Sequence, residues 1–154
     1  MNSLLFSAIL FLAFFGQTVP NFGGTWKLDQ DASTGPPAAK GASFLIITQS
    51  GDDLTFEYHG SSNGKRGDLI QTSSYSTDGR ERQGNKLRTY VNYVRSYWHG
   101  KTLLVRTRSV MDLDGFQTFT LEDRWSLSDD GKTLTDQSSD GTKAVYVRQP
   151  DTEP

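Results

Sequence analysis

The sequence predicts an all-β protein, a single antiparallel up-and-down barrel of eight strands, with nine strand-like segments available to build it. Seven glycine-centred turn signals follow residue 50. Five of them are Asn-Gly or Asp-Gly, which accept the positive φ angles of tight hairpin turns. The segments between them are rich in Thr, Tyr, Val, Leu and Phe, as strands are. No amphipathic stretch long enough for a stable helix interrupts this pattern.

Length and composition fit one domain without covalent cross-links. The chain has 154 residues and a net charge of −2, so no electrostatic attraction for nucleic acid is expected. It has no cysteine, which excludes disulfides and thiolate chemistry. With His59 and His99 as the two histidines, no all-histidine metal centre is expected, and no cofactor is predicted.

The N-terminal segment has the pattern of an export signal. The apolar run over residues 4–15 is too short at helical rise to cross a bilayer. Its length matches the hydrophobic region of a secretory signal. We therefore expect residues 1–18 to be a signal peptide, the protein to be secreted or periplasmic, and no stable membrane anchor after removal of the leader. A retained hydrophobic anchor is the alternative.

The barrel domain is expected over residues 21–149. In the first strand, Phe22, Gly24, Trp26 and Leu28 share one face at period two. The further strands are expected over residues 43–50, 53–59, 69–76, 86–98, 101–111, 116–128, 133–137 and 144–149, with a flexible loop over 60–67, a turn over 77–85 and a disordered tail over 150–154.

Sequential antiparallel strands with short turns close most simply as an eight-stranded barrel. The interior of a barrel of that size is filled with side chains or holds one small ligand. A two-sheet sandwich is the alternative architecture.

Three short motifs resemble those of a known group of barrels. They are Phe-x-Gly-x-Trp-Lys-Leu at residues 22–28, Trp-x-Gly-x-x-Leu at 98–103, and Trp-x-Leu-Ser-x-Asp-Gly-Lys-Thr-Leu at 125–134. Together they resemble the small exported lipocalin-like proteins of bacteria, within the wider group of calycin barrels. The resemblance covers roughly residues 21–149 and implies a calycin-type barrel.

The resemblance also implies how the barrel floor closes. In lipocalins the tryptophan of the first strand is crossed by an arginine of the last strand, and the matching residues here are Trp26 and Arg148. A stacked pair of this kind contributes about 0.5–2 kcal/mol. Arg124, beside Trp125, is a second candidate for the arginine.

Asp123 is the candidate polar group of the interior. It lies in phase with Phe119, Leu121 and Trp125, and a carboxylate on an apolar face must be paired, hydrogen-bonded or protonated. One interpretation is a polar anchor in a ligand cavity; the other is a structural ion pair, or a carboxylate at the barrel mouth that reaches water. The candidate partners are Arg95, Arg106 and Arg108.

Aromatic and aliphatic residues on the long strands are candidates for lining a ligand pocket. They are Tyr90, Tyr93, Val105, Phe119 and Leu121. Both faces of strand 86–98 carry aromatic residues, so the sequence leaves open which face points inward.

The sequence thus predicts an exported barrel that binds a small, mostly apolar or aromatic molecule in its interior. A structural or interaction module with a filled barrel is the alternative, and an enzyme that uses a polar cluster around Asp123 is less favoured. No catalytic residue is assigned, because no constellation of residues demands catalysis. The identity of the ligand and the oligomeric state stay open.

Overall fold

The computed structural model describes residues 18–35, 39, 41–86, 88–112 and 116–150. Within these ranges the regular elements are ten β-strands, and no helix there is long and apolar enough to span a membrane. Residues 1–17 of the expected leader and residues 151–154 of the expected tail lie outside the description. The strands are β1 (Gly24–Leu28), β2 (Phe44–Ser50), β3 (Asp53–Ser62), β4 (Lys65–Ser76), β5 (Arg82–Lys86), β6 (Tyr90–His99), β7 (Thr102–Asp112), β8 (Phe116–Leu127), β9 (Thr133–Ser138) and β10 (Lys143–Arg148).

All ten strands belong to one antiparallel sheet, in the order β4-β3-β2-β1-β10-β9-β8-β7-β6-β5. Consecutive strands are neighbours except β4 and β5, and β1 pairs with β10. The up-and-down topology is therefore confirmed, and the sandwich is not adopted. We call the end with the β2–β3, β6–β7 and β8–β9 turns the lower end, and the end with the β3–β4 and β9–β10 turns the upper end.

The predictions of eight strands and of a closed barrel are wrong. The sheet has ten strands, and β4 and β5 form its two edges. The rolled sheet brings β4 against β6 at the lower end, where Ser96 Oγ donates to Ser76 O at 2.8 Å and Gly79 N donates to Ser96 O at 3.0 Å. Above this contact the sheet is open between its edges.

Strand β5 occupies a segment for which the sequence predicts a turn. Its residues, RQGNK, are all exposed and none is apolar. An edge strand of this kind needs only backbone hydrogen bonds to its neighbour, here β6 with Arg82 opposite Val94. The alternation of apolar and polar residues in the sequence therefore gives no indication of β5.

The turn signals are confirmed where the structure describes them. Each of six glycines has a positive φ, and Asp114-Gly115 lies outside the described residues. Strands β3 and β4 extend into the predicted flexible loop and turn at Asn63-Gly64, with φ angles of 52° and 75°. Gly79 lies in the middle of the connection from β4 to β5, which is not a hairpin. The positive-φ turn glycines are Gly51, Gly64, Gly79, Gly100, Gly131 and Gly141.

The core fills the lower and middle parts of the rolled sheet. The rings of Phe22 and Trp98 meet edge to face with centroids 5.1 Å apart, and those of Phe56 and Trp125 meet in the same way at 4.9 Å. Large apolar side chains from both halves of the sheet are thus in contact across the interior. The buried cluster contains Phe22, Trp26, Leu45, Ile47, Leu54, Phe56, Tyr58, Leu103, Val105, Trp125, Leu134 and Tyr146, with Ala39, Ala42 and Ala144.

Candidate functional site

Trp26 and Arg148 lie together on the floor of the rolled sheet. They are directly opposite each other in the β1–β10 pair, and Arg148 Cζ is 4.1 Å from the centroid of the Trp26 ring. Arg148 Nη1 donates to Gly23 O at 2.7 Å, and Nε donates to Gly131 O at 2.8 Å. Gly24 makes room for this arrangement, because a Cβ there would lie 2.6 Å from Arg148 Nη1.

The alternation of side chains along β10 decides which of the two candidate arginines lies on Trp26. Val147 pairs with Lys27 on the outer face, so Arg148 and Tyr146 point inward. Arg124 is on the outer face of β8 and donates to Glu122 through Nε at 3.1 Å. Arg148 is therefore the arginine that stacks on Trp26.

A group of polar side chains lies on the inner face above the floor. Asp123 on β8 is opposite Ser138 on β9, and Asp136 on β9 is opposite Ala144 on β10. Tyr146 lies two residues along β10 from Ala144 and so faces the same interior. We call Asp123, Asp136, Ser138 and Tyr146 the polar cluster.

Three members of the polar cluster have buried atoms without a hydrogen-bond partner in the described chain. These atoms are Asp136 Oδ1, Ser138 Oγ and Tyr146 Oη, and of the three Ser138 Oγ lies beside the Asp123 carboxyl. Asp136 is 6% exposed and Tyr146 is 1% exposed. An unpaired buried polar atom costs about 1–3 kcal/mol. Three of them on neighbouring strands therefore mark a site that the protein's own groups do not satisfy.

The ionisation of the cluster follows from its surroundings. Burial, together with the negative charges of Asp123 and Asp140, raises the pKa of Asp136 to about 8. Burial is also the main cause that raises the pKa of Asp123. The pKa of Tyr146 is raised by burial and by Asp136. Asp136 therefore holds its proton at neutral pH, unless a positive charge enters the cluster.

The prediction of an arginine partner for Asp123 is wrong. Arg106 and Arg108 project from the outer face of β7, where they form ion pairs with Glu122 at 3.9 Å and Glu81 at 2.6 Å. Arg95 is exposed on the outer face of β6, over the ring of Tyr97 at 5.3 Å. Arg95, Arg106 and Arg108 occupy the outward positions in the period-two alternation of β6 and β7, whereas Asp123 points inward.

The other residues predicted to line a pocket divide between the two faces. Val105 is buried on the inner face opposite Asp123. Tyr90 is half-buried on the inner face near the upper end, opposite Met111. Tyr93 is on the outer face, where Arg108 Cζ lies 4.3 Å from its ring centroid. The assignment of Tyr93 to the interior is therefore corrected.

Phe119 and Leu121 are on the inner face but remain open to solvent. They alternate in phase with Asp123 and Trp125 along β8. Phe119 is 56% exposed and Leu121 is 38% exposed. The strand β9 is shorter than β8 and pairs with it from Asp123 downward. Within the described chain, the upper part of β8 therefore stands above the wall formed by β9 and β10.

Sequence reasoning missed most of the polar cluster. Asp136 and Ser138 alternate with Leu134 on β9, the same pattern that singled out Asp123 on β8. That signal was present and would have found them. Tyr146 carried no comparable signal, because a tyrosine between two valines in a strand is ordinary.

The cluster does not have the composition of a metal site. In the part of the chain that the structure describes, no group of three or more histidine, cysteine, aspartate or glutamate side chains is placed to hold a metal ion. The cluster has two carboxyl groups and two hydroxyl groups, which accept and donate hydrogen bonds. The arrangement is suited to holding a polar group at the bottom of an apolar, open surface.

Comparison with known proteins gives the fold. No family model matches the chain, and no curated protein matches it significantly. The fluorescent protein UnaG matches with a TM-score of 0.50 and 18% identity, over 84% of this chain and 97% of that chain. A point mutant of UnaG matches with a TM-score of 0.51 and 20% identity, over 86% and 97%. A fatty acid transporter, REP1-NXSQ, matches with a TM-score of 0.48 and 15% identity, over 85% and 97%. The likeness to UnaG shows the fold alone, a rolled antiparallel up-and-down sheet.

Proposed function

We propose that this protein binds a small, mostly apolar molecule on the inner face of the rolled sheet. One observation carries the proposal: Phe119 and Leu121 point inward, yet they are 56% and 38% exposed. Apolar side chains on a concave face that the protein leaves uncovered are typical of a ligand site.

The two ends of the sheet have different roles in this proposal. The lower end is closed by Trp26 and Arg148 and by the packed core, so a ligand enters from the upper end or through the opening between β4 and β5. Its apolar part then lies against Phe119 and Leu121, above Val105. Burial of about 200 Å² of apolar ligand surface contributes about 5 kcal/mol before the entropy cost of association.

Titration with Nile red, a neutral apolar dye, tests the proposal on the purified full chain. We expect saturable binding of one dye per chain with an increase in fluorescence. Leu121→Glu should abolish it, because the substitution places a charge on the apolar inner surface. Val147→Glu is the matched control, since Val147 is 40% exposed but on the outer face.

Two results of the dye titration would contradict the proposal. Dye binding that does not saturate, or that survives Leu121→Glu, would mean that the interior takes no ligand. The module with a filled barrel would then be the better account of the fold. Native mass spectrometry of the protein as purified provides a second readout, because a bound molecule adds a discrete mass.

The proposal includes export to the cell exterior or the periplasm through residues 1–18. The apolar run over residues 4–15 supports it. When the full chain is expressed in a Gram-negative bacterium, we expect a periplasmic or secreted product that lacks about 18 residues, the leader length implied by the apolar run. Leu10→Arg should prevent export, because a charge interrupts the apolar run. Full-length protein in the membrane fraction would favour a retained anchor instead.

A further inference from the structure

Building on the proposed interior binding, we infer that the ligand carries an ammonium group as its polar end. This group lies among Asp123, Asp136, Ser138 and Tyr146, with the apolar part of the ligand directed upward over Leu121. The protein thus selects amphiphilic amines over alcohols and carboxylates of the same size.

The unpartnered atoms of the cluster match an ammonium group in number and kind. Asp136 Oδ1 and Tyr146 Oη are buried, lack partners in the described chain and can each accept a hydrogen bond. The buried Ser138 hydroxyl lies beside the Asp123 carboxyl, and its oxygen can accept a hydrogen bond as well. An alkylammonium group has three N–H donors and no acceptor. Asp136 and Ser138 are two residues apart on the same face of β9, and the Asp136 carboxyl lies near enough to Tyr146 on the adjacent strand to raise its pKa.

The charges around the cluster favour a cationic ligand. Asp123 and Asp136 are carboxyl groups without an ion-pair partner among the described residues. Arg148 is occupied on the floor by Trp26 and three backbone carbonyls. A carboxylate ligand would bring a third acidic group beside them. An alcohol would supply one donor and no charge. An ammonium group supplies three hydrogen-bond donors and a positive charge.

The depth of the cluster fits a ligand with its polar end inward. Asp136 is buried, Asp123 above it is half-buried, and Leu121 above that is exposed. These three residues form a path of increasing exposure from the cluster to the open inner surface. The ring of Tyr146 is stacked on that of Trp125 with centroids 6.1 Å apart, so aromatic surface borders the cluster as well.

The test uses three probes with the same ten-carbon tail: decylamine and decanoate below their micelle concentrations, and decanol below its solubility limit. Isothermal titration calorimetry with the full chain measures each affinity. We expect decylamine to bind at least tenfold more tightly than decanol, and decanoate to bind most weakly. Asp136→Asn and Asp123→Asn should each reduce the advantage of the amine at least tenfold and change decanol binding little.

A matched control separates the interior charges from the general charge of the protein. Glu122→Gln removes one negative charge next to Asp123 in the chain, but from the outer face, where Glu122 pairs with Arg124. Because this charge also acts on Asp123, Glu122→Gln should lower the preference for decylamine slightly, and far less than Asp136→Asn does. Tyr146→Phe keeps the ring stack on Trp125 and removes one acceptor, so it should weaken decylamine binding several-fold. Near-ultraviolet circular dichroism checks that each variant is folded.

The outcomes distinguish this inference from the proposed function. Equal affinities for the three probes, or tightest binding of decanoate, would overturn the ammonium site while interior binding stands. An amine preference that Glu122→Gln reduces as much as Asp136→Asn would also overturn it. If none of the probes binds and Nile red does not bind either, the proposed function fails as well.

Discussion

The guanidinium group of Arg148 stacks on the ring of Trp26, with Cζ 4.1 Å from the ring centroid. The two residues belong to the last and the first strand, and they are opposite each other in the sheet. Arg148 also donates hydrogen bonds to Gly23 O and Gly131 O. One side chain thus links three distant segments and closes the floor below the proposed site.

Replacing Arg148 tests this link. Arg148→Lys keeps the charge but loses the planar stack and at least one of the hydrogen bonds to backbone carbonyls. We expect the free energy of unfolding, measured by urea denaturation, to fall by about 2–3 kcal/mol. Arg124→Lys, on the exposed outer face, should change it by less than about 0.5 kcal/mol. Equal effects of the two substitutions would show that the floor contact is not stabilising.

The buried carboxyl of Asp136 should make the free protein less stable as pH rises. Its pKa is about 8 in the folded state against an ordinary 3.8, so the folded state holds the proton more tightly. The contribution to stability is fully present below pH 4 and is lost as pH rises towards 8, at up to about 1.4 kcal/mol per pH unit. We expect a lower unfolding temperature at pH 8 than at pH 5.

The pH dependence belongs to Asp136 together with the groups that face it. Asp123 shifts in the same direction, Asp140 contributes a negative charge, and Tyr58 and Tyr146 titrate above this range. Asp136→Asn should flatten the dependence between pH 5 and 8 and raise stability at pH 8. Glu57→Gln on the outer face of β3 should leave the dependence intact. An unchanged slope in Asp136→Asn would contradict the burial argument.

Phe119 should matter for binding and hardly for stability. Because it is 56% exposed on the inner face, Phe119→Ala should change the free energy of unfolding by less than about 0.5 kcal/mol. It should weaken Nile red binding about tenfold, since about 1.4 kcal/mol of apolar contact is removed. Tyr93→Ala serves as the control, because Tyr93 is on the outer face. A loss of affinity in Tyr93→Ala that matches the loss in Phe119→Ala would place the ligand elsewhere.

The β3–β4 hairpin provides a test of turn geometry. Gly64 has a φ of 75°, and a Cβ there would meet nothing within 4 Å, so Gly64→Ala introduces backbone strain alone. We expect it to destabilise the protein by about 1 kcal/mol. Gly60→Ala in the same hairpin adds an ordinary contact, 3.7 Å from Ile70 Cδ1, without a positive φ. The free energies of unfolding of the two variants, obtained from thermal denaturation, should differ by that amount. Equal stabilities would contradict a positive φ at Gly64.

Particular elements show why prediction from sequence succeeded or failed. The turn at Asn63-Gly64 and the alternation around Trp125 depend on a few adjacent residues, and both were predicted correctly. The edge strand β5 was missed because its exposed polar residues leave no pattern. Tyr93 was assigned to the interior because strand 86–98 has aromatic residues on both faces, and the pairing of β6 with β7 decides between the faces.

The sequence by itself determined the antiparallel strands, most of their turns and the inward phase of Asp123, because turn chemistry and period-two alternation are local properties of the chain. Only the tertiary structure decided that the sheet has ten strands with separate edges, and that Arg148 instead of Arg124 lies on Trp26. It also decided that Asp123 faces Ser138 and Asp136 instead of an arginine. These outcomes depend on the register and curvature of strands far apart in the chain, which no local pattern encodes.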